Sequence, residues 1–127
     1  MKDMSEAKRY IDNAIETLKR SPIENNRYLD KKFVREACGT AYLVILEALD
    51  YYLLKQGVEK KKLPKSVEGY MTAIKKYLSI HNGKLIGEFN SLYDALHIAG
   101  HYRGLIDDTE AIKAYFKRAK EFIKKLE

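Results

Sequence analysis

Apolar residues return along this chain at steps of three and four, which is the spacing of one buried helix face. Ala7, Tyr10, Ile11, Ala14, Ile15 and Leu18 make the first stripe, with Ser5 as its expected N-cap. Ser21-Pro22 ends it, because proline disfavours helix in the residue before it. Ile23–Leu29 then reads as a loop with a short turn around Glu24–Tyr28.

Asp30 is placed to cap a second helix that runs to Gly57. Val34, Ala37, Cys38, Ala41, Val44, Ile45, Ala48, Leu49 and Tyr52 form its broad face. Tyr42, Leu43, Leu46 and Leu53 carry apolar character round the back. A helix apolar on most sides is surrounded by neighbours or also carries a face for self-association. Tyr51 lies roughly opposite Leu53 and Tyr42, so one of those two faces is expected to be left for a partner.

Glu59–Lys65 is a charged connector containing Pro64, and Ser66 caps a third helix with the stripe Val67, Tyr70, Met71, Ile74, Tyr77 and Leu78. His81-Asn82-Gly83 is a turn signal, which puts His81 in solvent. Leu85, Phe89, Leu92, Tyr93 and Leu96 form a fourth helix that stops near Gly104. Asp107 with Glu110 resembles a capping box. It opens a fifth helix with Ile112, Tyr115, Phe116, Ala119, Phe122, Ile123 and Leu126. No stretch alternates as a strand does, so the expectation is an all-α, antiparallel bundle of four to five helices, one domain spanning residues 1–127.

The chain has 127 residues, 46% of them hydrophobic and 33% charged, with a net charge of +6. Its lysines come as scattered pairs, a pattern that keeps a surface solvated and leaves nucleic acid as a secondary expectation. The charged N-terminus lacks the apolar core of a signal peptide, and no apolar run approaches the roughly 18–20 residues of a membrane span. A single cysteine, Cys38, excludes an internal disulfide, and the expected setting is the cytoplasm, away from any membrane.

Usable chemistry gathers at Leu96–Gly104, where His97 and His101 stand one helical turn apart, followed by Tyr102 and Arg103. At about 100° per residue, Asn90, Asp94, His97 and His101 share one polar stripe, centred roughly 140° from the apolar side. That stripe, with Arg103, is the candidate ligand-binding surface, expected to line a groove at a dimer or partner contact. Arg103 falls in the last turn, where it pairs with free carbonyls or a nearby carboxylate, or holds a phosphate. His97 and His101 lack the HExxH motif or cysteine cluster that would complete a metal site, so no metal or other cofactor is assigned. Cys38 on an apolar face is structural, and no glycine-rich phosphate loop occurs.

The order of features resembles the HEPN superfamily of small helical bundles. The resemblance rests on the opening helix EAKRYIDNAIETLKR and the long central helix REACGTAYLVILEALDYYLLKQG. The stretch Tyr93-Asp94-Ala95-Leu96-His97 and the closing helix AIKAYFKRAKEFIKKL complete it. The chain is also similar to a bacterial domain-of-unknown-function group within or near that superfamily. Catalytic members are dimeric, metal-independent ribonucleases in which an arginine precedes a histidine by about four to six residues. None of Arg9, Arg20, Arg27, Arg35, Arg103 and Arg118 has a histidine at that distance, so no catalytic residue is assigned. The resemblance implies a non-catalytic, dimerising module that binds a protein partner (a nucleotidyltransferase, for example), a nucleotide or nucleic acid. The alternative is a degenerate ribonuclease using His97, His101 and Arg103.

Overall fold

The computed structural model describes residues 4–78 and 83–127. Among the described residues the chain is all-α apart from one small hairpin. The helices are α1 (Met4–Leu18), α2 (Lys31–Lys55), α3 (Val67–Tyr77), α4 (Leu85–Leu92) and α5 (Thr109–Lys125). A 3-10 turn covers Lys60–Lys62, and α4 continues directly into a π-helical segment, Tyr93–Tyr102. α2 is the central element and packs against α1, the π-helical segment and α5, while α3 packs on α4.

Local chemistry sets the helix ends. Asp30 accepts a hydrogen bond from the Lys32 N–H, and Ser66 accepts one from the Gly69 N–H, both in the expected cap roles. At the far end of α2, Val58 N–H donates to Leu53 O and Gly57 N–H to Leu54 O. This is a Schellman closure, and it needs the left-handed φ of +94° that Gly57 supplies. Two expected caps are corrected. Ser5 lies inside α1 rather than ahead of it. The cap of α5 is Asp108, whose side chain accepts from the Ala111 N–H, while Asp107 pairs with Arg27 at 2.6 Å. The expected turn at His81 lies outside the described residues.

The loop expected at Ile23–Leu29 is a hairpin, Ile23–Glu24 against Arg27–Tyr28. Asn25 and Asn26 both hold positive φ, 52° and 62°, as a tight two-residue hairpin turn requires. Two residues per strand are too few to show alternation in a sequence. The hairpin is tied to the start of α5, with Tyr28 N–H donating to Asp107 O and Thr109 N–H to Asn26 O. Ser21, itself buried, holds its base by accepting from the Asp30 N–H at 2.9 Å.

The core gathers the predicted stripes: Ile11, Ile45, Leu49, Phe89, Leu96, Phe116 and Phe122 are all essentially inaccessible to solvent. α2 also corrects an expectation about apolar runs. It is long and apolar enough to cross a membrane by length and composition, but 56% of that window is buried among its neighbours. A core helix acquires this composition by being surrounded.

Candidate functional site

α2 and the π-helical segment meet backbone to backbone. A Cβ added at Gly100 would stand 2.7 Å from Cys38 Sγ, and one added at Gly39 would stand 2.6 Å from His101 Nδ1. Only hydrogen at these two positions allows the approach. Cys38 is fully buried there, and burial pushes its thiol up to about 12, so it is held as an unreactive apolar filler.

The close approach lines up aromatic rings. Tyr42 of α2 stacks on His97 at 4.8 Å between centroids, Tyr93 lies 5.5 Å from His97, and His97 stacks on His101 at 6.2 Å. Burial, followed by the neighbouring Tyr93 hydroxyl, raises Tyr42 to about 12, so it is neutral over the physiological range. His101 Nδ1 sits 2.9 Å from Arg35 O. A carbonyl only accepts, so Nδ1 is the donor in this bond.

Arg35 closes the end of the segment. Its Nε donates to His101 O and its terminal nitrogen to Tyr102 O, both at 2.9 Å. These carbonyls are the orphaned acceptors of a helix C-terminus, and a guanidinium satisfies them with charge-assisted bonds. Sequence reasoning gave that role to Arg103, which is exposed instead. Arg35 was missed because its partners are backbone atoms 66 and 67 residues away.

The rings open onto a groove of about 610 Å³ that includes Thr40, Tyr42, Leu43, Leu46, His97 and His101. Leu43 is 60% exposed at its lip and also borders a second depression with Tyr10, Asn13 and Glu47. Of the polar stripe, the structure brings His97 and His101 together in this groove. Asn90, Asp94 and Arg103 are exposed and do not line it. Winding explains the separation. In the π-helical segment Arg103 N–H donates to Ile98 O, five residues back, so positions counted at about 100° per residue drift apart. Residues four apart stay adjacent, which preserves the histidine pair.

Of the two α2 faces, one of them expected to be left for a partner, Leu53 and Tyr42 are buried, and Tyr51 is half-buried with the Lys55 ammonium 5.5 Å over its ring. Leu43 is the most exposed large apolar side chain of α2, ahead of Leu54. Among the described residues, no three His, Cys, Asp or Glu side chains come together as a ligand set for a metal ion. Asp50, on the other side of α2, accepts from the Tyr70 hydroxyl at 2.9 Å. Burial raises its carboxyl, and that hydrogen bond pulls the other way.

No curated protein matches the chain. A solved structure, a protein of unknown function from Dyadobacter fermentans, is similar to it with a TM-score of 0.79 and 33% identity, covering 97% of this chain and 91% of that one. Residues 2–127 match the family described as "Domain of unknown function (DUF5618)", and the chain belongs to that family.

Proposed function

We propose that this chain is a non-catalytic, HEPN-like antiparallel bundle that works by binding, and that its groove along α2 receives a second copy of the chain. One observation carries the reading. A 60% exposed leucine, Leu43, stands between two adjoining depressions, beside a preordered ladder of Tyr42, His97 and His101. A large apolar side chain at the centre of a concave strip, with aromatic rings beside it, is the composition of an interface core. Stable dimers need a contact of about 1,000 Å² or more, and two joined depressions extend the strip in that direction. A cytoplasmic setting goes with this reading, since the single thiol, Cys38, is free.

The ribonuclease alternative draws less support, because Arg103 does not line the groove with His97 and His101.

Native mass spectrometry and light scattering of the wild type and Leu43→Glu test the proposal together. The expected result is a wild-type dimer and a folded Leu43→Glu monomer. A monomeric wild type, or a dimer unmoved by Leu43→Glu and by His97→Ala, overturns the homodimer reading. RNA cleavage that is lost in His101→Ala and kept in Cys38→Ala moves the chain to the enzyme class.

A further inference from the structure

α1, the hairpin and α5 leave a separate cavity of about 390 Å³. Its walls are Ile15, Leu18, Ile23, Tyr28 and Phe116, and three of these (Leu18, Tyr28 and Phe116) belong to the buried core. The rim is entirely different in character. Lys19 of α1 and Lys113, Lys117 and Lys120 of α5 stand around it, and among the described residues no carboxylate lines the cavity. Three rim lysines have carboxylate partners: Lys19 with Glu16, Lys113 with Glu110 and Lys120 with Asp12. Lys117 has no such partner among the described residues.

We propose that this cavity binds a single-chain anionic amphiphile, an alkyl carboxylate of medium length, with the chain among Leu18, Tyr28 and Phe116 and the carboxylate at the lysine rim. The volume lies at the small end of the roughly 300–1,000 Å³ of ligand pockets. That suits one chain, not two. An apolar floor would be wasted on a nucleic-acid backbone, whose recognition rests on phosphate contacts. Charge complementarity selects the headgroup, because lysine ammonium groups form charge-assisted bonds with carboxylate oxygens. The site shares none of the groove's lining residues, so the proposal does not depend on the dimer reading.

The test is calorimetric titration of the full chain with hexanoate, octanoate and decanoate below their micelle concentrations, with octanol and octyltrimethylammonium as controls. Affinity should rise about fourfold per added methylene until the cavity is filled. Lys117→Glu should weaken octanoate about tenfold, the scale of losing one hydrogen bond to a charged group. Ile23→Asp, at an exposed wall position, should weaken it as well, with circular dichroism unchanged in both variants. Equal binding of the cationic and anionic chains, or octanoate binding untouched by Lys117→Glu, overturns the proposal. So does attachment to phosphatidylglycerol vesicles without saturable binding of octanoate, which would make the lysine face a membrane-contact surface.

Discussion

Two seams of this molecule end in opposite ways: one is built on α2, apolar on most sides, and the other on the amphipathic α1 and α5. Where α2 meets the π-helical segment, Gly39 and Gly100 remove the side chains that would hold the backbones apart, and Cys38 and His101 fill the line of contact. Where α1 and α5 pass the hairpin, Leu18 and Phe116 keep their full bulk and a cavity remains between them. Side-chain volume at the contact decides whether helices touch or enclose space. The closed seam fixes the position of polar rings, and the open one leaves room for a guest.

The largest effect should come from reopening the closed seam. Gly100→Ala gains about 1 kcal/mol of helix propensity but overpacks Cys38 and the Ala95 carbonyl by about 1–3 kcal/mol, for a net loss of up to about 2 kcal/mol in chemical denaturation. Cys38→Ala removes the Sγ contact and leaves Cβ in place, so the double variant should show a coupling of at least about 0.5 kcal/mol. Additive losses would mean that the helices shift apart freely.

Arg35→Met should cost about 1 kcal/mol, since it frees two carbonyls that are near water and partly resolvated. A specific sign is that His101 amide exchange should accelerate more than that of residues in α5. Alkaline titration probes the same seam more gently. Burial raises the folded thiol of Cys38 from its ordinary value near 9 to about 12. Its contribution is fully present below the unfolded value and is lost as pH climbs from about 9 towards 12. Cys38→Ala should flatten that part of the stability curve, and thiol reagent should label Cys38 only on unfolding. The smallest effect belongs to the exposed lip: Leu43→Glu should move monomer stability by less than about 0.5 kcal/mol while changing association.

Much of this architecture was legible because its causes are local. The stripes of α1, α2, α3 and α5, and the caps Asp30 and Ser66, follow from residues within one or two turns. The histidine pair was legible for a related reason, since residues four apart are neighbours in α and π winding alike. Grouping Asn90 and Asp94 with that pair assumed a single winding along the whole of the fourth element. The register of backbone bonding has no marker in the apolar spacing there, and with it went the expected role of Arg103. Arg35 and the open strip at Leu43 depend on which neighbours α2 acquires, and tertiary packing settles that. The hairpin did leave a signal, since Asn25-Asn26 is a pair that tolerates left-handed φ, but its strands are too short to register as strands.

The tie between the hairpin and Asp107–Thr109 also has a consequence for synthesis. Ribosomes release a chain from its N-terminus, at about 5–20 residues per second. The hairpin at residues 23–28 therefore emerges seconds before its partners, and its Tyr28 and Asn26 anchors stay unpaired until the start of α5 follows. α1 and α2 can pair early, while the lysine-rimmed cavity acquires its Phe116 wall only as the last helix docks. The nascent chain thus completes the α2 side of its framework from neighbouring segments and finishes the hairpin side last.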